Sequence, residues 1–202
     1  MLALAGAHRS GKSTLAKTIA YVAKGVTYVP SQTTSVFKSL GLDISKPLTF
    51  DQRMLAQEAI LDLHLHDVQH APTPWIACRS TLDFAAYAMA EWGKNAPPEG
   101  EDRLLAYVDK CLKAASWTYT GIILVQPGIP YVEEEGKAPP SKTFQELMNT
   151  LCFSYMRDSR VNCSSWFLRR ELTGLEERVQ AVSNIWNHII EELPKPGEVT
   201  FN

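Results

Sequence analysis

The sequence predicts an α/β fold in which helices cover both faces of a mostly parallel, five-stranded sheet. Three observations predict it. Short apolar segments alternate with longer amphipathic ones, no internal repeat is present, and a chain of 202 residues that is 45% hydrophobic can bury a full core. Because strands joined through helices run in the same direction, we expect a three-layer arrangement and one domain over residues 1–202.

Each predicted strand is a short segment rich in apolar or β-branched residues. The segment at 75–78 follows Pro72 and Pro74, which end the preceding helix. The segment at 121–125 is the most uniformly apolar, as a strand buried on both faces requires. In chain order the five predicted strands are residues 1–5, 26–29, 75–78, 121–125 and 166–168.

The predicted helices follow from apolar residues at i, i+3 or i+4 spacing and from start signals. Capping boxes occur at Thr49, Thr143 and Thr173, each with Gln or Glu three residues later. Ser80 or Thr81 is expected to cap a further helix. In chain order the helices are expected near residues 15–22, 36–40, 49–70, 81–88, 102–117, 143–157 and 173–193.

The charged residues are unevenly distributed. Residues 1–46 contain six Lys or Arg and one acid, Asp43, in a chain whose formal net charge is −2. A basic segment in an acidic protein is typical either of a site for a small polyanion or of a solvated helix face. The overall charge argues against a broad surface for duplex DNA, whereas a local DNA-binding groove stays open.

The cysteines and the hydropathy pattern bear on where the protein acts. Cys78, Cys111, Cys152 and Cys163 show neither Cys-x-x-Cys spacing nor the density of a disulfide-rich secreted domain. We therefore expect reduced thiols and a cytoplasmic protein. No apolar run approaches the roughly 18 residues of a membrane helix, so no membrane association is expected. The oligomeric state does not follow from the sequence.

The segment from Gly6 to Ser13 matches the phosphate-binding pattern G-x-x-x-x-G-K-[ST], between an apolar strand and an amphipathic helix. Its glycines let backbone N–H groups surround a phosphate, and the following helix adds the positive end of its dipole. Lys12 can neutralise the β- and γ-phosphates, and the Ser13 hydroxyl is a hard ligand for Mg²⁺. The sequence therefore predicts a P-loop NTPase that binds a nucleoside triphosphate with Mg²⁺. The expected nucleotide-binding residues are Gly6, Ala7, His8, Arg9, Ser10, Gly11, Lys12, Ser13 and Thr14.

P-loop proteins include kinases, switches, motors and translocases, so the motif alone does not define the activity. A single domain of this length argues against motors and translocases, and the guanine-recognition pattern Asn-Lys-x-Asp is absent from the sequence. Arg79 follows the third predicted strand and opens a helix. In parallel α/β sheets this is the edge at which ligands bind.

The segment Cys78-Arg79-Ser80-Thr81-Leu82-Asp83-Phe84-Ala85-Ala86-Tyr87 resembles a pattern of small P-loop kinases of nucleosides and nucleotides. That pattern is approximately Asp-Arg-[Ser/Thr]-Pro-Leu-Asp-x-x-Ala-Tyr. The resemblance is closer to the nicotinamide-riboside-kinase-like branch, which includes phage enzymes that act on 5-hydroxymethyluracil in DNA. It extends over most of the chain through Val29-Pro30, Gln57, Leu61 and the tail at 172–179, which is similar to the segment beside the adenine.

The resemblance implies a nucleotide-kinase-like fold that transfers the γ-phosphate of ATP, with Mg²⁺, to a nucleoside-type acceptor. The implied catalytic residues are Lys12 and Arg79, which stabilise the transferring group, and Asp83, which sits by the acceptor. Asp83 has the alternative role of an i,i+4 partner of Arg79. A free deoxynucleoside, a nucleoside monophosphate and 5-hydroxymethyluracil in phage-type DNA all stay open as acceptors. A phage protein would act in the host cytoplasm.

Two departures from the family pattern weaken the case for turnover. Cys78 stands where such kinases have an acid, and Ser31-Gln32 replaces an acid that is common after the second strand. These acids act as general base or hold a magnesium-bound water. Phosphoryl transfer through a loose transition state depends more on positioning and charge, so a kinase remains the leading hypothesis. The alternative is a catalytically weak, ATP-binding regulatory protein on the same fold.

The irregular stretch at 131–142 lies where similar kinases have a lid that closes over the phosphates. Its only cations are Lys137 and Lys142, so Arg157 or Arg160, after the next helix, are further candidates for neutralising the transferred phosphate. A solvated loop is the alternative interpretation for each of these residues.

Aromatic residues near the predicted strand ends are candidates to stack on the base of an acceptor; they are Phe37, Phe84 and Tyr87. Three histidines, by contrast, are expected at the surface, namely His64, His66 and His70. Only His66 and His70 share a helix face, and no further ligand pattern completes a zinc site.

Overall fold

The computed structural model describes residues 1–44, 46–130 and 141–192. The strands in these ranges are β1 (Leu2–Ala5), β2 (Thr27–Val29), β3 (Trp75–Ala77), β4 (Gly121–Val125) and β5 (Ser164–Leu168). The α-helices are α1 (Lys12–Val22), α2 (Thr33–Ser39), α3 (Phe50–His70), α4 (Thr81–Trp92), α5 (Glu101–Thr118), α6 (Lys142–Tyr155) and α7 (Leu175–Glu192). A 3₁₀ turn spans Pro98–Gly100.

The five described strands form one sheet in the order β2-β3-β1-β4-β5, and every pair is parallel. The predicted α/β class is therefore confirmed, and the sheet is more regular than the expected mostly parallel one. From β1, at the centre of the sheet, the chain first adds β2 and β3 on one side of β1. It then reverses direction and adds β4 and β5 on the other side. This reversal creates a crevice at the carboxyl ends of β1 and β3, where open parallel sheets bind ligands.

Two apolar clusters attach the helices to opposite faces of the sheet. Ala3 and Ala5 of β1 join a cluster with α2, α3, α4, α5 and α6, whereas Leu2 and Leu4 join a cluster with α1 and α7. This alternation follows from the two-residue period of a strand. The strand is apolar on both faces because both are covered, and this produces the three layers.

The local start signals are confirmed for α3 and α4 and shifted for two later helices. The Thr49 and Ser80 capping boxes are both complete. The cap of α6 lies two residues before the predicted box: the Ser141 hydroxyl accepts from the amide of Phe144, so the helix begins at Lys142. α7 begins at Leu175 rather than directly after Thr173.

The hydroxyl of Tyr119 ties α4 to the core. It accepts a hydrogen bond of 3.0 Å from the backbone N–H of Thr81 and lies 2.7 Å from Nε2 of His64. The Tyr119 hydroxyl and the His64 ring nitrogen therefore share a hydrogen bond in the core, and burial lowers the pKa of His64 to about 4. His64 is 4% exposed, so its predicted surface position is wrong. The first amides of a helix have no acceptor within the helix, and the Tyr119 hydroxyl supplies one for the Thr81 amide of α4.

Replacing Tyr119 with Phe is expected to lower the free energy of unfolding by about 1–3 kcal/mol, because the Thr81 N–H and His64 Nε2 lose their partner inside the core. Urea unfolding followed by circular dichroism measures the change. Tyr21→Phe, at a position that is 89% exposed, is the matched control. Superimposable curves for the Tyr119 variant and the wild-type chain would contradict the role assigned to this hydroxyl.

Candidate active site

The segment called the P-loop below, residues 6–13, consists of the loop between β1 and α1 and the first two residues of α1. Gly6 and Gly11 have φ values of +129° and +82°. A Cβ on Gly6 would lie 2.7 Å from the carbonyl oxygen of Val125, and one on Gly11 would lie 2.7 Å from Nη1 of Arg178. Both positions therefore favour glycine for their positive φ, and Gly6 also for its close approach to the backbone of β4.

Lys12 is the first residue of α1, and its side chain folds back into the P-loop. Its Nζ donates to the carbonyl of Gly6 at 2.7 Å, to the carbonyl of Ala7, and to the Ser10 hydroxyl at 3.4 Å. Burial, followed by the charge of Arg79, lowers the pKa of Lys12 to about 7. A buried ammonium is stabilised by a nearby anion, so this group gains from a phosphate in the loop.

The carboxylate of Asp83 joins the P-loop to the start of α4. One oxygen accepts from the Gly6 amide at 3.1 Å and from Nη1 of Arg79 at 3.2 Å. The other accepts from the amide of Ser80 at 2.9 Å and from its hydroxyl at 2.7 Å. Asp83 is fully buried, and both oxygens have protein donors. This geometry makes Asp83 a positioning residue that pairs with Arg79.

Arg79 points from the end of β3 into the crevice beside the P-loop. Its guanidinium lies 5.2 Å from the ring centroid of Tyr87, and Nη1 lies 3.5 Å from the Tyr87 hydroxyl. The side chain is 20% exposed, so part of its charge faces the crevice. An arginine held by a carboxylate and an aromatic ring in this way is a pre-oriented group for binding phosphate.

An aromatic cluster forms where α4 and α6 meet the P-loop. The ring of His8 lies 6.5 Å from that of Tyr87 and 5.7 Å from that of Phe144, and the last two lie 6.2 Å apart. Gln145 donates to the carbonyl of His8 at 3.0 Å. The sequence analysis did not select Phe144 or Gln145; their one signal was their position just after the predicted lid.

The imidazole of His8 is held in its neutral form. Burial, and then the charges of Arg79, Lys12 and Arg9, lower its pKa to about 4. A neutral ring adds no positive charge to a P-loop that already contains two cations. Its flat face also becomes available for aromatic contact.

Arg178 is a third residue that the sequence analysis did not assign to the site. It lies on α7, is 4% exposed, and donates from Nη2 to the carbonyl of Ser10 at 2.7 Å. Its Nε is buried without a partner among the described atoms. The only sequence signal was that Arg178 belongs to the tail that resembles the adenine-side segment of related kinases. α7 therefore supports the P-loop from the face of the sheet opposite α4.

Two of the three aromatic candidates are core residues. Phe37 and Phe84 are each 3% exposed. Phe84 packs edge-on against His64 at 5.2 Å, and the guanidinium of Arg53 lies 5.3 Å from the ring of Phe37. Of the three candidates, Tyr87 is the one that lies beside Arg79.

The two arginines that follow α6, Arg157 and Arg160, lie away from the P-loop. Arg160 binds Asp158 at 2.8 Å and Asp109 at 3.2 Å, and its carbonyl accepts from Ser116 near the end of α5. This segment precedes β5 and so lies at the amino edge of the sheet, whereas the P-loop lies at the carboxyl edge. Arg157 lies over aromatic rings of α6 and β5, those of Phe153 at 6.0 Å and Phe167 at 5.4 Å.

The predicted lid falls mostly outside the described residues. Lys137 belongs to the part that is not described, and Lys142 is the first residue of α6. Their proposed contact with phosphate therefore stays a prediction.

The described residues fit a Mg²⁺ held chiefly by phosphate oxygens and water. Ser13 is exposed at the second position of α1, directly after Lys12, so its hydroxyl oxygen is accessible to a cation beside the P-loop. Mg²⁺ typically takes one or two protein ligands beside the phosphates. Across the described ranges, no group of three or more His, Cys, Asp or Glu could hold a metal.

Comparison with known proteins gives matches in structure. No family model matches the chain, and no curated protein matches it. A structure of deoxyadenosine kinase from M. mycoides with dCMP and dCDP bound has a TM-score of 0.65 at 14% identity, covering 93% of this chain and 98% of that chain. Thymidylate kinase from Candida albicans has a TM-score of 0.57 at 13% identity, covering 93% and 90%. The chain therefore has the fold of P-loop nucleoside and nucleotide kinases.

The same comparison includes the M. mycoides kinase with dATP bound, at a TM-score of 0.65 and 13% identity over 92% of this chain and 98% of that one. The narrower resemblance to the nicotinamide-riboside-kinase-like branch stays a prediction. Within the described residues, none of the helices combines the length and apolarity needed to cross a membrane.

Asp83→Asn is expected to lower the free energy of unfolding by about 3 kcal/mol, because the amide leaves the Arg79 charge unpaired and cannot accept from every present donor. Asp62→Asn, which breaks an exposed ion pair with Lys110, is the matched control and should cost about 0.5 kcal/mol. Urea unfolding measures both. Equal losses in the two variants would show that the buried carboxylate is not a structural link.

The lowered pKa of Lys12 predicts a pH dependence of stability. Between the folded value of about 7 and the ordinary value of 10.5, the unfolded chain binds the extra proton, so this lysine makes stability rise with pH in that window. Relative to Lys12→Met, the wild-type chain should gain about 1 kcal/mol per pH unit from pH 7 to 9.5. Lys24→Met, at an exposed position, should follow the wild-type curve. Parallel curves for wild type and Lys12→Met would contradict the assigned burial of charge.

Proposed function

We propose that this chain is a kinase that transfers the γ-phosphate of ATP to a nucleoside-type acceptor, with Mg²⁺ as cofactor. The observation that carries the proposal is the Asp83 carboxylate, which accepts from the first amide of the P-loop and from Arg79. It holds a triphosphate-binding loop and a second cation at one edge of the sheet. Transfer between two anionic ligands requires this positioning and charge.

Each group then has a role in the transfer. The P-loop amides and the start of α1 bind phosphate oxygens, and Lys12 neutralises the charge that develops as the bond between the γ-phosphorus and the bridging oxygen of ADP breaks. Arg79 binds the acceptor or the transferred group from the crevice side. Ser13 would hold a Mg²⁺, which supplies further charge neutralisation at the β- and γ-phosphates.

Among the three acceptors that the sequence leaves open, a nucleoside monophosphate suits these residues best. The Asp83 oxygens are occupied by protein donors, so this carboxylate is not free to take a proton from a hydroxyl acceptor. A phosphate acceptor brings an oxygen that is already deprotonated and attacks the γ-phosphorus without a base. The rings of Tyr87 and Phe144 offer faces on which its base can stack.

The proposal includes one kinase domain with a lid at residues 131–142 and a cytoplasmic location, in the host if the chain comes from a phage. The resemblance to the branch that contains phage enzymes keeps 5-hydroxymethyluracil in DNA as an acceptor to test. The net charge of −2 argues against a broad DNA surface.

The test is transfer of label from γ-labelled ATP to a panel of nucleosides, nucleoside monophosphates and 5-hydroxymethyluracil DNA, with ADP measured in parallel. We expect label on a monophosphate and a loss of about 10²–10³-fold in kcat for Lys12→Ala and for Arg79→Met, since each removes a charge from the transition state. Lys24→Ala, an exposed lysine beyond the end of α1, is the matched control.

Two outcomes would replace the proposal. Tight binding of ATP without labelled acceptor or ADP would favour the regulatory protein on the same fold. Label on DNA, together with DNA affinity that falls steeply with salt, would assign the acceptor to modified DNA.

A further inference from the structure

Arg178 brings an unbalanced positive charge to the outer side of the P-loop. It lies in the first turn of α7 and is 4% exposed. Its Nη2 donates to the Ser10 carbonyl at 2.7 Å, and its Nη1 fills the space beside Gly11, where a Cβ would lie 2.7 Å from it. Among the described residues, no Asp or Glu lies within ion-pair distance of this guanidinium.

A buried arginine without a counter-ion is unfavourable for the chain without ligand, because buried charges ordinarily need an opposite charge beside them. Two other poorly exposed arginines have one: Arg53 lies 2.8 Å from Glu91, and Arg79 lies 3.2 Å from Asp83. Nε of Arg178 is also buried without a partner among the described atoms. An anion bound in the P-loop would supply the negative charge that this arginine lacks.

The hydrogen bond to Ser10 also fixes the direction of an amide in the P-loop. In a planar trans peptide, the C=O of one residue and the N–H of the next point in opposite directions. The one cis peptide bond among the described residues is Thr73-Pro74, so the peptide between Ser10 and Gly11 is trans. Since Arg178 holds the Ser10 carbonyl, the Gly11 N–H points away from Arg178. Amides that are turned in this way form the concave surface that binds phosphate.

A second carbonyl of the P-loop is held by a neutral side chain. Gln145 of α6 donates to the His8 carbonyl at 3.0 Å. A side-chain amide is therefore sufficient to hold a carbonyl of this loop. The property that arginine adds at position 178 is its charge.

We infer that Arg178 is a positioning residue for the phosphate chain of the bound nucleotide: it turns the Gly11 amide toward the phosphates and adds positive charge behind the loop. The inference rests on the proposed binding of ATP at the P-loop. The resemblance of residues 172–179 to the adenine-side segment of related kinases implies a place beside the base instead, whereas the contact with Ser10 favours the phosphates.

The experiment measures the affinities for ATP and for inorganic tripolyphosphate, each with excess Mg²⁺, by isothermal titration calorimetry on the full chain. Arg178→Gln keeps an N–H donor for Ser10 and loses the charge, so both affinities should fall by the same factor, about 10-fold. Arg178→Lys keeps the charge and one donor, so it should retain most of the affinity for both ligands. Without ligand, the melting temperature of Arg178→Gln should equal or exceed that of the wild-type chain, because a buried unpaired charge is removed.

Arg160→Gln is the matched control, because it removes an arginine that is paired with Asp109 at the opposite edge of the sheet, and both affinities should equal those of the wild-type chain. Unchanged binding of tripolyphosphate by Arg178→Gln would overturn the inference and leave the proposed function standing. A loss confined to ATP would place Arg178 beside the base, and a lowered melting temperature would make its role structural; either result would overturn the inference too. A wild-type chain that binds neither ligand would overturn the proposed function as well.

Discussion

The buried carboxylate of Asp83 is the interaction on which the rest of the site depends. A charge that is fully removed from water is stable only if its oxygens are matched by donors, and here the donors come from the P-loop, from Arg79 and from the Ser80 cap. Any displacement of α4 relative to β1 would leave one of these groups unpaired. The phosphate-binding loop and the cation that faces it are therefore held in a fixed relation before a ligand arrives.

Other side chains, from different parts of the fold, also hold backbone groups of the site in place by hydrogen bonds. The Tyr119 hydroxyl accepts from the Thr81 amide of α4 in the core. Arg178 of α7 donates to the Ser10 carbonyl, and Gln145 of α6 donates to the His8 carbonyl. Each joins a polar side chain to a backbone group that secondary structure leaves without a partner. The P-loop is thus fixed by helices from both faces of the sheet, which is the pre-organisation that phosphoryl transfer requires.

The positive charge at this edge is moderated by burial. Lys12 has a pKa lowered to about 7, and His8 is neutral because its pKa is lowered to about 4. Arg79 keeps its charge because Asp83 and Tyr87 favour it. A phosphate in the loop would supply the negative counter-charge that the buried lysine lacks, and would therefore favour the protonated form of Lys12.

What the sequence determined by itself is local. The P-loop, the capping boxes at Thr49 and Ser80 and the apolar strands are patterns within a few residues of chain, whose hydrogen bonds and periodicity form inside one element. Only the tertiary structure decided that Asp83 bonds to Gly6, 77 residues away, that Arg178 reaches Ser10 across 168 residues, and that Arg160 lies at the opposite edge of the sheet. Such partners are set by which helix packs on which face, and a pattern of neighbouring residues does not encode that choice.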